Sequence, residues 1–269
     1  MNEQSNGSDM APVAMILAAG KGTRMRPLTD HCPKPLLSVS GQPLIEWHLQ
    51  KLKAAGVHRV VINASYLAEK IDEYFSQRSD DGLIIDVINE GAEPLETAGG
   101  IVNASALLGK DAFILINGDV WIDLDYQVLV EKARQLTTDE PTTSANPLGE
   151  LVLVQNPDHN PEGDFSVSEQ GYLQNKSLNE LCLKVPGLNE SGFEAPSSLS
   201  YTYSGVSIFH PSLFKSLSKH SGALGPFLRQ WADQSLLRAS VYDGYWLDVG
   251  TPERLRELDT ALTLDAVHG

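Results

Sequence analysis

The chain is poor in cysteine, poor in cations relative to acids, and free of long apolar runs, and each shortage closes off a class of function. Cys32 and Cys182 are the two cysteines in 269 residues. They lack the C-x-x-C spacing of a zinc site and are too few for a disulfide framework, so a reducing, cytoplasmic setting is expected. No stretch approaches the ~18 to 20 apolar residues of a membrane span, and Met1 to Ala11 is polar, without the basic start and apolar core of an export signal. No membrane partner is therefore expected. Lys plus Arg number 20 against 35 Asp plus Glu, a net charge of −15. Such an acidic surface does not hold a nucleic-acid backbone, and it repels a small polyanion unless the few cations are gathered in one place.

What is present is an ordinary globular composition, 42% hydrophobic and 20% charged, in a length that suits one large α/β domain. Residues 1–11 read as a flexible tail and 12–269 as a single domain. Short β-branched runs alternate with helical patterns. Strands are expected at Val13 to Ala18, Arg59 to Asn63, Leu83 to Asn89 and Phe113 to Asn117, with helices at Leu44 to Ala55, Leu67 to Phe75 and Thr97 to Leu107. This rhythm implies βαβ units and a doubly wound, mostly parallel sheet, whose ligands bind beyond the carboxyl ends of the strands. Two inserts, near 135–149 and 175–200, break the rhythm with Ser, Pro, Asn and Gly. Further on, Leu151 to Gln155 and Tyr203 to Phe209 read as strands, Pro211 to Ser218 and Leu224 to Gln234 as helices. Arg238 to Asp243 and Tyr245 to Val249 read as a β-turn-β element closed by a helix from Pro252 to Leu264.

The most informative segment is Leu17 to Thr29, LAAGKGTRMRPLT, followed by Pro33-Lys34-Pro35. A strand running into Gly20 and Gly22 lets backbone N–H groups approach a phosphate without Cβ obstruction. The dinucleotide fingerprint would need a glycine where Met25 stands, and the G-x-x-x-x-G-K-[ST] loop is absent. Cations take their place. Lys21, Arg24, Arg26 and Lys34 against Asp30 give this segment +3, leaving 16 cations against 34 acids, −18, for the remainder. Arginine offers forked donors to phosphate oxygens and lysine a mobile point charge.

With about a dozen agreeing positions, this segment resembles the signature of the sugar nucleotidyltransferases, which make nucleoside-diphosphate sugars from a nucleoside triphosphate and a sugar 1-phosphate. The likeness runs from Val13 to about Leu264 and implies a Rossmann-like nucleotidyltransferase fold with small β insertions and no C-terminal left-handed β-helix. It is strongest toward members that join UTP to N-acetylmuramate 1-phosphate. The resemblance implies that Ala19, Gly20, Gly22, Thr23, Arg24, Lys34, Thr97, Gly99 and Asn117 bind the nucleotide. It implies Arg24, Lys34 and Asp119 as catalytic residues, Asp119 and Asp248 as ligands of Mg2+, and Gly163, Asp164, Ser204 and Gly205 as contacts of the sugar.

Read without the resemblance, several of these residues have second meanings. Thr97 suits the N-cap of a helix, Gly163-Asp164 a turn between strands, and Asp248 alone a turn cap. The nucleotide and sugar also stay open to uridylyl, thymidylyl or guanylyl transfer onto glucose, N-acetylglucosamine or mannose 1-phosphate. A glycosyltransferase would use a D-x-D string, which Asp123-Leu124-Asp125 supplies, although these residues equally suit capping a helix that starts near Tyr126. A non-catalytic nucleotide sensor would have no need of Arg24, Lys34, Asp119 and Asp248 together. No oligomeric state is implied.

Overall fold

The first buried run becomes strand β1 (Ala14–Leu17) at the centre of a nine-stranded sheet. This is a computed structural model, and it describes residues 11–138, 146–175 and 199–268; residues 1–10, both insert centres and Cys182 lie outside the described residues. After the glycine loop come a short hairpin, β2 (Ser38–Val39) and β3 (Gln42–Pro43), and helix α1 (Leu44–Ala54). Then follow β4 (Arg59–Ala64), α2 (Ala68–Gln77), β5 (Ile84–Asn89), α3 (Glu96–Leu108) and β6 (Phe113–Asn117). Strand β7 (Val120–Ile122) leads into α4 (Tyr126–Thr138), and β8 (Gly149–Val154), β9 (Phe165–Val167), β10 (Leu173–Asn175) and β11 (Ser200–Phe209) extend the sheet. Helix α5 (Gly225–Asp233), β12 (Leu237–Tyr242), β13 (Trp246–Asp248) and α6 (Pro252–His268) complete the described chain.

The main path of the sheet runs β10-β9-β11-β6-β1-β4-β5, with β8 beside β11 and β12 beside β8. Strand β1 is parallel to both β4 and β6, and β4 to β5, whereas β11 is antiparallel to β6 and β8. The chain first moves from β1 to β4 on one side and later places β6 on the other. The carboxyl ends of β1 and β6 therefore flank the switch in strand order, the place where open α/β sheets bind ligands.

Alternation along the strands feeds two hydrophobic faces. Ala14 and Ile16 of β1 pack with Ile45, Leu49 and Leu52 of α1 and Leu129 of α4. Met15 points the other way, to Ile101 and Ala104 of α3 and Leu228 and Trp231 of α5. Each fully buried aliphatic side chain contributes about 1.5–3 kcal/mol. A third, smaller cluster of Met25, Leu37, Val39, Leu44, Trp121, Val249, Leu255 and Leu258 lies under the glycine loop. It ties that loop to the hairpin, β7 and α6.

Three expectations need correction. Arg238 to Asp243 and Tyr245 to Val249 do not pair with each other: β12 joins β8 in parallel, and β13 pairs antiparallel with β7 in a separate two-stranded sheet. Their alternation fits either partner, and the partner is chosen by distant strands. The expected helix at Pro211 to Ser218 is a 3-10 turn confined to Pro211–Phe214. Thr97 is not an N-cap, because α3 starts one residue earlier and Leu95 takes that position without a side-chain bond. By contrast, Asp125 does cap: Gln127 N–H donates to its carboxylate at 3.0 Å, while Asp123 accepts from the Trp121 indole at 2.8 Å. The D-x-D string is thus occupied structurally. Among the described residues no helix is long and apolar enough to cross a membrane.

Candidate active site

Beyond the ends of β1 and β6 opens a cavity of about 600 Å3. One wall is the glycine loop, from Leu17 to Met25, with Lys34 and Pro35. Gly22 has φ +58, and a Cβ there would lie 2.9 Å from Thr29 Cγ2, so the loop needs glycine at that point. The Thr29 hydroxyl donates to the Gly22 carbonyl at 2.8 Å, the Tyr66 hydroxyl donates to the Thr29 carbonyl at 3.0 Å, and Met25 is fully buried beneath. The loop is held from behind and its backbone is presented to the cavity. Arg24 lines the cavity and is exposed, without an acidic partner among the described residues.

The opposite wall is Asn117-Gly118-Asp119. Gly118 N–H donates to the Leu17 carbonyl at 2.9 Å, and a Cβ on Gly118 would fall 2.8 Å from that same oxygen. Only glycine lets the end of β6 lie this close to the end of β1. Lys34 crosses between the walls: its Nζ stands 2.6 Å from Asp119 Oδ2, with the lysine side chain 9% exposed and the aspartate 39%. Asp119 and Asp248 are brought together by the β7–β13 pairing, in which Asp248 lies opposite Val120 and Val249 N–H donates to the Asp119 carbonyl at 2.8 Å. The Asp248 carboxylate is engaged by Arg254, 2.8 Å from its Nη1, with His159 Nε2 at 3.6 Å. The backbone at Gly250, two residues on, lines the cavity.

Among the described residues no cluster of three or more His, Cys, Asp or Glu side chains could cage a metal ion. Two carboxylates near a glycine loop instead suit a hard cation that takes most of its oxygens from substrate and water. Asp119 lines the cavity and Asp248 stands behind Gly250, outside its lining; as a pair of carboxylates they fit that donor set, with Lys34 and Arg254 holding one oxygen of each.

The third wall is formed by Glu93, Pro94, Glu96 and Thr97, before and at the start of α3. A relay of hydrogen bonds joins it to the glycine loop: Ala18 N–H donates to Asn63 Oδ1 at 2.8 Å, Asn63 Nδ2 to Glu90 Oε1 at 2.8 Å, and Leu95 N–H to Glu90 Oε2 at 2.9 Å. Lys21 and Glu93 pair across the mouth at 2.8 Å. Thr97 lines the cavity while its hydroxyl accepts from Leu224 N–H at 2.6 Å. Gly99 is buried against the Lys219 carbonyl, which a Cβ would approach to 2.4 Å. Its place is in packing, behind the cavity.

The four residues expected around a sugar are not gathered into this cavity. Ser204 is fully buried, donating to the Val152 carbonyl at 2.7 Å and accepting from Val206 N–H at 3.1 Å. Asp164 accepts from Tyr203 N–H at 2.9 Å and from Asn160 Nδ2 at 3.2 Å. Gly163 has φ +64 and packs on Asn156. Gly205 abuts Asn117, which lines the cavity, and so comes nearest. A second cavity of about 480 Å3 has His159, Tyr242, Trp246 and Arg254 in its wall.

Asn63, Glu90 and Arg254 carry no motif and were not anticipated. Their signals are faint but physical: Asn63 is the one polar residue within Val60–Ala64, and Arg254 sits in the first turn of the helix that follows Asp248. Behind the site, His48 is buried with its Nδ1 2.8 Å from the Tyr126 hydroxyl. Burial, reinforced by Lys51, pushes its pKa down to about 4.

Residues 13–150 match the nucleotidyl transferase family model. The chain is 43% identical over 245 residues to N-acetylmuramate alpha-1-phosphate uridylyltransferase of Neisseria meningitidis serogroup B, covering 91% of this chain and 95% of that protein. It is 30% identical to the protein of the same name from Caulobacter vibrioides, over 91% of this chain and 95% of the relative. In three dimensions it is similar to HddC from Yersinia pseudotuberculosis, with a TM-score of 0.69 and 25% identity over 94% of this chain and 100% of that one. With the phosphate-type loop and Asp119 at the switch in strand order, the chain belongs to the nucleotidyl transferase family, as one of its sugar nucleotidyltransferase enzymes.

Proposed function

We propose that the protein is a Mg2+-dependent uridylyltransferase that converts UTP and N-acetylmuramate 1-phosphate to UDP-N-acetylmuramic acid and pyrophosphate. The reading belongs to the recycling of cell-wall sugar in the cytoplasm. The observation that carries it is the 43% identity, over 91% of this chain, to a relative of that name, joined to a cavity lined by the glycine loop, Lys34 and Asp119.

The reaction is an in-line displacement in which a phosphate oxygen of the sugar 1-phosphate bonds to the α-phosphorus and pyrophosphate leaves with the electron pair. A phosphate monoester dianion is already nucleophilic, so positioning and charge neutralisation supply the rate, without a general base. The N–H groups of Gly20 to Thr23 hold the triphosphate, and Arg24 neutralises the departing pyrophosphate with its forked donors. Lys34 turns from Asp119 to the α-phosphate and the attacking phosphate. Asp119 and Asp248 would hold the Mg2+, which when bound supplies positive charge at the phosphate oxygens.

The test is a matrix of UTP, dTTP, GTP and ATP against the 1-phosphates of N-acetylmuramate, N-acetylglucosamine, glucose and mannose, read as pyrophosphate release. UTP with N-acetylmuramate 1-phosphate is expected to give the highest kcat/KM. Selective use of glucose or mannose 1-phosphate would overturn the muramate assignment and leave the family unchanged.

A further inference from the structure

Four non-glycine residues among those described have a backbone in the left-handed region, Ser40, Leu67, Glu96 and Ser235. Of these, Glu96, at φ +61, is the one that lines the cavity. A glutamate gains nothing from that conformation, which glycine adopts without strain. The surroundings impose it: Glu90 fixes Leu95 N–H before it, while Thr97 and Ala98 are bonded to Leu224 N–H and the Gly222 carbonyl after it. The Glu96 side chain is exposed, and its carboxylate has no hydrogen bond or ion pair among the described residues. Strained backbone held in place at a ligand cavity points to a side chain kept for the ligand.

We propose that Glu96 is a specificity-determining residue that accepts hydrogen bonds from the 2′- and 3′-hydroxyls of the nucleotide ribose. The inference rests on the nucleotide reading of this cavity. A bare carboxylate has acceptors only, so it suits a part of the nucleotide other than the triphosphate, and Glu96 stands on the third wall, at the start of α3, apart from Arg24 on the glycine loop and from the Lys34–Asp119 pair. A uracil edge offers acceptor, donor, acceptor, and its two carbonyls repel a carboxylate that approaches the N3–H. A vicinal diol offers two donors, which matches two carboxylate oxygens, as acidic residues do for ribose in other α/β nucleotide sites. Glu93 is not available for this role, because it is paired with Lys21.

The experiment compares kcat/KM for UTP with that for 2′-deoxy-UTP and 3′-deoxy-UTP in wild type, Glu96→Gln and Glu96→Gly, with thermal unfolding alongside. Wild type is expected to favour UTP by about tenfold, the worth of a hydrogen bond to a charged group. Glu96→Gly is expected to bring the ratio to within about twofold, without a fall in Tm, since glycine is at ease at this backbone angle. Glu96→Gln, with one carbonyl acceptor left, falls between. A ratio unchanged in Glu96→Gly, or an equal loss for UTP and both deoxy forms, overturns the proposal. If another nucleoside triphosphate is preferred, the uridylyl reading fails, and the same comparison with that nucleotide and its deoxy forms still decides the role of Glu96. Should GTP be preferred, loss of GTP over ITP discrimination in place of ribose discrimination moves Glu96 to the base and overturns the ribose assignment.

Discussion

Replacing Lys34 with methionine separates the chemical role of the site from its structural one. The lysine stem is packed, with 9% of the side chain exposed, and its Nζ lies 2.6 Å from an aspartate that is 39% exposed. Methionine keeps most of the apolar stem. What is lost in stability is therefore the ion pair alone, which solvent reduces to about 1 kcal/mol, or about 2 °C in Tm for a chain of this size. On the proposed mechanism catalysis loses a cation aimed at charge that develops in the transition state, worth about 2.7–4 kcal/mol, a factor of about 100 to 1000 in kcat. Initial rates of pyrophosphate release at saturating substrates, set beside thermal melts, measure both. Asp30→Asn is the control: Asp30 sits on the same loop but among the described residues its carboxylate pairs only with Arg26, at 3.3 Å on the exterior, and turnover within about twofold of wild type is expected. If Lys34→Met turned over within about fivefold of wild type, Lys34 would be no more than a tether for Asp119, and the charge-neutralisation mechanism would fail.

Other outcomes follow from features further from the chemistry. His48 holds a pKa of about 4 when folded against about 6.5 unfolded, so the unfolded state binds the extra proton between these values. Stability is then full above pH 6.5 and falls by about 3 kcal/mol on going down to pH 4; denaturant titrations of His48→Gln, which keeps a partner for Tyr126, should show a flatter profile, and an identical slope would refute the assignment. Gly118→Ala places a Cβ 2.8 Å from the Leu17 carbonyl and 3.2 Å from Ile16 Cγ2. It should cost about 1–3 kcal/mol in urea unfolding and more than about tenfold in turnover, because Asp119 moves with it. Arg78→Met removes the 2.9 Å partner of Glu46, which is 10% exposed. A loss of about 2 kcal/mol with unchanged kcat is expected, measured by the same titration.

Signals confined to a few neighbouring residues were legible in the sequence. The run into Gly20 and Gly22, with Lys21, Arg24 and Lys34, and Asn117-Gly118-Asp119 at the end of a buried strand line one cavity, while Arg26 faces outward to Asp30. Asp125 likewise reads as a cap and is one. Contacts made across the fold were not legible. Nothing within Trp246 to Asp248 says that its partner is β7 rather than β12, because antiparallel pairing with Val120 is chosen by where β6 ends. Ser204 has the chemistry of a ligand residue, yet a bulge between Tyr203 and Val206 turns its hydroxyl to the Val152 carbonyl. Thr97 looks like a helix cap until Leu224 arrives from far along the chain to claim its oxygen. The sequence also hides the Asn63–Glu90 relay, since each residue alone is an ordinary polar side chain.

The small cluster under the glycine loop has a consequence for the order of assembly. Met25, near the start of the chain, completes its packing against Leu255 and Leu258 of the last helix. A nascent chain that already holds every strand of the main sheet still lacks that support while α6 is inside the ribosome. The glycine loop therefore gains the last part of its packing late in synthesis, about 230 residues after Met25.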